Sequence, residues 1–252
     1  MITKHHPAKY LFRAGAAVLC IGMSGAFAGT QNIYTQYEET GNPKTPAAIG
    51  KLFTNAGTCS ASVVSGTNVI VTAAHCCFNR STNSWIGGWS FKPHNIALTF
   101  PWAGATVLNR WITVGDRQSD LCLIKLANNP ATARPVTYYT GWLGRVWNAS
   151  SVLNLHSLGF PGNIGGAATL QLCTAETFPS MCGEPNTLNM GCNMTFGASG
   201  GPWVWQYRRG NYVNSVVSGY TSAGCTGTFG QTYNGPRFND TNIVPLCTAV
   251  GC

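Results

Sequence analysis

The sequence predicts an all-β protein of the barrel or sandwich kind, and three observations carry that expectation. Short stretches of β-branched and aromatic residues recur between clusters of Gly, Asn, Pro and Ser. No long segment holds an apolar 3.6-residue period, so helices are expected to be few. Only 9% of residues are charged, so the surface must draw its polar groups from Asn, Thr, Ser and Gly, a composition suited to an exported β protein.

The elements follow in chain order. Lys4, Lys9 and Arg13 precede the apolar run Ala14 to Ile21, and Ala26-Phe27-Ala28 then fits a signal-peptidase site. This predicts a leader over 1–28 and a secreted chain, extracellular or periplasmic. The run is shorter than the roughly 20 apolar residues that a spanning helix needs, so no stable membrane anchor is expected. Leu19 before Cys20 stands where a lipoprotein would carry a small residue. Residues 29–48 are mostly polar and end near the turn chemistry of Gly41-Asn42-Pro43-Lys44, which reads as an extended lead-in or short pro-segment.

A first series of strand candidates comprises Lys51-Phe53, Ser60-Val64, Asn68-Ala73, Ile96-Thr99, Trp111-Val114 and Leu121-Leu126. A second comprises Val152-Leu155, Ala168-Cys173, Thr187-Met190, Pro202-Gln206, Val213-Ser218 and Arg237-Phe238. The Ala-, Asn- and Pro-rich stretch from Leu126 to Tyr138 reads as the connection between two halves, 49–132 and 133–252. Only Asn242-Val250 is a helix candidate.

Of 11 cysteines, Cys20 leaves with the leader, and the remaining even set reads as disulfides formed in an oxidising compartment. No CxxC pair occurs, and His75, His94 and His156 are far apart in sequence, so neither metal nor cofactor is expected. His94 and His156 default to structural or surface roles. The net charge is +8, but no basic run exceeds Arg208-Arg209, which gives nucleic-acid binding little support. The eight tryptophans read as core and loop packing rather than a sugar-binding platform.

A serine hydroxyl becomes a useful nucleophile when a base takes its proton and prepared donors receive charge on the attacked carbonyl. Gly197-Ala198-Ser199-Gly200-Gly201-Pro202 suits that purpose, because its glycines permit backbone conformations that free amides to face a substrate. The amides of Gly197 and Ser199 are the candidate oxyanion donors. Val69 to Ala74 is a hydrophobic strand that shortens into alanines before His75 and Cys76. Asp120 opens the apolar strand Leu121 to Leu126, and a carboxylate there needs a donor such as an imidazole N–H. Asp116 is a rival, but Gly115-Asp116-Arg117 reads as a solvated turn.

These three strings resemble the histidine, aspartate and serine motifs of chymotrypsin-like serine proteases, in that family's chain order. The resemblance spans about residues 49 to 245. Cys59-Ser60-Ala61-Ser62-Val63-Val64 and Gly159-Phe160-Pro161-Gly162 agree with it, and Asn193 to Trp203 is similar to bacterial extracellular members, including the glutamyl endopeptidase group. It implies two antiparallel β-barrels with the active site between them. It also implies a secreted endopeptidase, expected to be a monomer, that takes a protein or peptide substrate. Ser199 would be the nucleophile, His75 the general base and Asp120 the group that orients the imidazole. An inactive protease-like binding protein, or an esterase using the same groups, stays open as the alternative.

One departure concerns activation. Digestive and clotting members carry an aspartate before the serine that pairs with a freed N-terminus, whereas here the position is Ala198. For the cysteines, the resemblance implies Cys59 with Cys76 and Cys192 with Cys225, and Cys173 with Cys182 would close a short loop. Cys77, Cys122, Cys247 and Cys252 remain, with three pairings open.

The primary pocket is expected to be lined by Asn193, Met194, Thr195 and Phe196 and by Val217, Ser218, Gly219 and Tyr220. Neither stretch holds Asp or Glu, which disfavours Arg or Lys as the recognised side chain. Glutamyl specificity in the related enzymes leans on a histidine where this chain has Val217. A neutral or apolar side chain is the expectation, with attraction of an acid by Arg237 as the open alternative.

Overall fold

The computed structural model describes residues 35–39, 43–180, 184–220 and 232–252. The leader expected over 1–28 lies outside them. The chain forms two β units, consecutive in sequence except that the first strand, Thr35–Glu38, joins the second. In the first, the strands Ile49–Thr54, Gly57–Ser65, Val69–Thr72, Cys122–Leu126, Phe100–Val107 and Ser90–Pro93 close into a barrel in that order. All four residues of Val69–Thr72 are buried, which is why this segment reads as an unbroken apolar run instead of an alternating one. Ile49, Leu52, Val63, Ile70, Phe91, Phe100, Leu123 and Ile124 fill the interior with no solvent exposure. Each such large apolar side chain contributes about 1.5–3 kcal/mol on burial.

In the second unit a six-stranded sheet runs in the order Thr35–Glu38, Gln171–Glu176, Asn154–Gly159, Pro202–Trp205, Tyr212–Val216, Gly144–Arg145. A four-stranded sheet, Phe178–Pro179, Thr187–Gly191, Thr232–Pro236, Gly219–Tyr220, belongs to the same unit. Leu155, Leu188, Met190, Trp203 and Tyr233 from both sheets form a second core cluster. The helix Ile243–Val250 ends the chain, with the Asn242 side chain accepting a hydrogen bond from the Ile243 amide.

The polar lead-in is built into this fold from residue 35 onward. Thr35–Glu38 pairs antiparallel with Gln171–Glu176 of the second unit, and residues 43–48 then lead to the first barrel. Glu39 between them is buried, and Arg208 (2.6 and 2.7 Å), Thr45 (2.7 Å) and Tyr207 (3.0 Å) hold its carboxylate. A buried carboxylate is tolerated only with such partners.

Several expectations are corrected. Trp111-Val114 is not a strand; Asn109–Thr113 forms one helical turn ended by Gly115 at φ 76°. Among the described residues no strand pairs with this segment to complete a ladder. The strand expected at Ile96-Thr99 lies instead at Phe100–Val107, where Pro101 and Gly104 obscure the alternation and the register shifts between Trp102 and Gly104. Within the inter-barrel connection, Val136–Thr140 is a short helix.

The disulfide expectations divide. Cys59–Cys76 forms, and Cys77–Cys122 and Cys247–Cys252 resolve the open four. Cys173 bonds Cys192, with Cα atoms 5.7 Å apart, and this overturns both Cys173–Cys182 and Cys192–Cys225. The reason is packing: Cys173 lies in the six-stranded sheet, Cys192 directly follows the strand Thr187–Gly191 of the other sheet, and both are fully buried in the core they share. Cys182 and Cys225 lie outside the described residues.

Candidate active site

The strand Val69–Thr72 pairs with Cys122–Leu126 so that Thr72 lies opposite Cys122. The residue that continues one strand and the residue that precedes the other therefore emerge at the same end of the barrel. There Ala74–Cys76 forms a single 3₁₀ turn that presents His75, and the turn Arg117–Ser119 delivers Asp120. Two disulfides clamp the turn, Cys59–Cys76 on one side and Cys77–Cys122 on the other. The Trp89 indole N–H donates to the Cys76 carbonyl at 3.1 Å.

Asp120 is 1% exposed, and three donors satisfy it. The His75 backbone N–H reaches Oδ1 at 2.9 Å, His75 Nδ1 reaches Oδ2 at 2.8 Å, and the Ser218 hydroxyl donates to Oδ2 at 2.5 Å. Burial works against the charged form of both His75 and Asp120. For His75, the charge and hydrogen bond of Asp120 outweigh that penalty and hold the imidazole above its ordinary value, while Arg117 pulls the other way. For Asp120, the bonds from His75 and Ser218 outweigh burial and hold the carboxyl below the usual range. The rival Asp116 is bound by Arg110, Gln118 and Ser119 instead, so it is committed to its own turn.

Ser199 stands before the strand Pro202–Trp205, in a turn that rests on glycines at two positions. Gly197 has φ 95° and Gly200 φ 78°. A Cβ at Gly200 would lie 1.9 Å from Thr72 Oγ1, and one at Gly197 would lie 2.4 Å from the Phe160 carbonyl oxygen. Hydrogen bonds pin the turn between the units: Ser60 N–H donates to the Ser199 carbonyl (2.7 Å) and Gly200 N–H to Val217 (2.8 Å). The amides of Ala198, Gly200 and Gly201 are all engaged. Those of Gly197 and Ser199 have no acceptor among the described residues, which leaves two donors of the turn unengaged.

His75 and Ser199 line one cleft of about 660 Å³. Of the expected pocket residues, Thr195, Phe196, Val217, Ser218, Gly219 and Tyr220 line it. Asn193 and Met194 do not. Met194 is fully buried, and its carbonyl accepts from the hydroxyls of Tyr220 and Tyr233; the Asn193 carbonyl accepts from Asn163 at 2.8 Å. Only the two residues nearest the serine turn, which the Ala198 N–H closes onto the Thr195 carbonyl at 3.1 Å, reach the cleft. Arg237 is also absent from the cleft, its guanidinium bonded to the Ala149 carbonyl.

Sequence reasoning missed Tyr233 and Arg117, which also line the cleft. Arg117 Nη1 lies 3.4 Å from the Ser218 hydroxyl, and Glu184 is its carboxylate neighbour at 3.8 Å. The proximity of Arg117 to Asp120 in sequence was a usable signal for it. Among the described residues no group of three His, Cys, Asp or Glu side chains could hold a metal. No described helix is long and apolar enough to cross a membrane.

The fold has solved relatives. It is similar to protease Anisep from Arthrobacter nicotinovorans, at 24% identity and a TM-score of 0.72 over 86% of this chain and all of that one. A thermostable serine protease, AL20, from an extremophilic microorganism superposes with a TM-score of 0.71 at 23% identity, covering 83% of this chain and 99% of that one. A Glu endopeptidase does so at 0.70 and 15% identity, covering 86% and 97%. No curated protein matches by sequence. The family model described as Trypsin matches residues 40–235, most of the chain, and the chain therefore belongs to the trypsin-like serine protease family.

Proposed function

We propose that the protein is a secreted serine endopeptidase that cuts peptide bonds through an acyl-enzyme on Ser199. The observation that carries this reading is the doubly bonded Asp120–His75 pair opening onto the cleft that also contains Ser199 and the two free amides.

His75 Nδ1 donates to Asp120, so the neutral ring keeps Nε2 as its basic nitrogen. Nε2 takes the Ser199 proton as Oγ attacks the scissile carbonyl, and the resulting imidazolium is stabilised by the buried Asp120 carboxylate. The amides of Gly197 and Ser199 receive the oxyanion, each such donor lowering the barrier by about 2.7–4 kcal/mol. His75 then returns the proton to the leaving amine, and water attacks the acyl group by the same route in reverse. No carboxylate is among the described residues of the cleft, and its aromatic groups include Tyr220 and Tyr233. A neutral or apolar side chain is accordingly the preferred one beside the scissile bond. Export is supported by the leader pattern and by four disulfides among the described residues.

The test is labelling of the mature protein with a fluorophosphonate probe beside Ser199→Ala and His75→Ala variants, followed by cleavage of a peptide library. Labelling of the wild-type protein alone, with internal cleavage of peptides, is the expected result. Equal labelling of the wild-type and Ser199→Ala proteins would reject the assignment, and turnover of esters without peptides would favour the esterase reading.

A further inference from the structure

A second cleft of about 540 Å³ lies beside Phe160 and is lined by Lys51, Lys92 and His94. Lys51 and Lys92 are direct partners in the antiparallel ladder between Ile49–Thr54 and Ser90–Pro93, so both side chains leave the same face. Like charges placed opposite one another destabilise a sheet. Neither lysine has a carboxylate within ion-pair distance among the described residues. The one acid of the cleft, Glu39, is occupied by Arg208, Thr45 and Tyr207.

Phe160 forms the common floor. Lys51 Nζ sits 5.2 Å from the centre of its ring, and the His94 ring tilts against it at 6.3 Å. Partial burial and the neighbouring Lys92 both pull the Lys51 ammonium below its ordinary pKa. His94 Nε2 is buried without a hydrogen-bond partner among the described residues. Lys51 and the His94 ring thus meet on one aromatic side chain, and Lys92 lines the same cleft.

The position relative to the catalytic groups suggests what fills it. Phe53 lines this cleft, and the next residue, Thr54, lines the cleft of His75 and Ser199. Ser60, across the ladder from Lys51, accepts from the Phe160 amide at 3.0 Å and donates to the Gly197 carbonyl at 2.8 Å. If the edge Ser218 to Tyr220 takes the acyl side of a peptide, the facing wall, Thr54 to Cys59, receives the leaving-group side. A chain continuing along that wall reaches the lysines.

We propose that Lys51, Lys92 and His94 bind an acidic segment of the polypeptide substrate on the leaving-group side of the scissile bond. The lysines pair with Asp or Glu carboxylates, the His94 ring lines the same cleft, and Phe160 packs against the aliphatic stems. This inference rests on the peptidase reading.

The test uses peptides identical around the scissile bond that carry three Glu, or three Gln, at a series of spacings after it. At the best spacing kcat/KM for the Glu peptide should exceed that for the Gln peptide by about fivefold, as expected for two partly exposed ion pairs. The advantage should shrink with added salt. A Lys51→Gln/Lys92→Gln variant should lose it while cutting the Gln peptide at the wild-type rate. Separately, a fluorescein-labelled Glu peptide should bind Ser199→Ala protein in an anisotropy titration, and more weakly when both lysines are replaced. Equal rates at every spacing, with no lysine-dependent binding, overturn the proposal. Cleavage of neither peptide overturns the peptidase reading, and lysine-dependent binding to Ser199→Ala protein then still supports the acidic-segment site.

Discussion

Asp120 grips His75 twice, through the backbone N–H at Oδ1 and through the ring at Oδ2. The same carboxylate thus positions the main chain of the 3₁₀ turn and selects the tautomer of its side chain.

Replacing that carboxylate separates the two effects. Asp120→Asn is nearly isosteric, yet its amide presents a donor where the ring needs an acceptor. A loss in kcat of about 10⁴-fold is expected, with KM little changed, in steady-state kinetics on the best library peptide. A loss below tenfold would show that Asp120 does not orient the base.

The second prediction concerns pH. The proposed mechanism needs neutral His75, and Asp120 holds the imidazole above its ordinary value of 6.5, so kcat/KM should fall as pH drops through a midpoint above that value. Arg117 lowers the His75 pKa by its charge. Arg117→Gln removes that charge, favours the imidazolium and should move the midpoint upward. A full pH–rate profile of both proteins decides the sign.

Gly200 tests the serine turn. At φ 78°, with Thr72 Oγ1 1.9 Å from the place of a Cβ, Gly200→Ala must shift the turn or strain it by about 1–3 kcal/mol. Urea unfolding should register that loss, and fluorophosphonate labelling of Ser199 should slow. An unchanged labelling rate would mean that the turn tolerates the methyl group without moving the serine.

The Cys173–Cys192 bond is checked by chemistry and by stability. Peptide mapping without reduction should recover the two cysteines in one linked fragment. The double variant Cys173→Ala/Cys192→Ala should unfold with about 3 kcal/mol less stability, the loop-closure effect for a 19-residue separation. Recovery of Cys173 linked to any other cysteine would contradict the structure.

The catalytic candidates were legible because their chemistry is local. A nucleophile turn needs consecutive glycines around Ser199, and a carboxylate such as Asp120 at the mouth of an apolar strand is conspicuous for its cost. The all-β character was legible for the same reason, since turn residues and β-branched runs act within a few positions of one another. Trp111 to Val114 misled because β propensity describes fit to a neighbouring strand, and no strand among the described residues pairs with it.

By itself, the sequence determined the all-β class and the terminal helix, and it singled out His75, Asp120 and Ser199 as the candidate catalytic groups. Only the tertiary structure decided which cysteine meets Cys173, that the Ser218 hydroxyl turns to Asp120, that Met194 faces the core, and that Lys51 and Lys92 share a face. Those outcomes depend on the register and packing of strands distant along the chain. A shift of one residue in register exchanges the two faces of a strand, so spacing alone cannot set them.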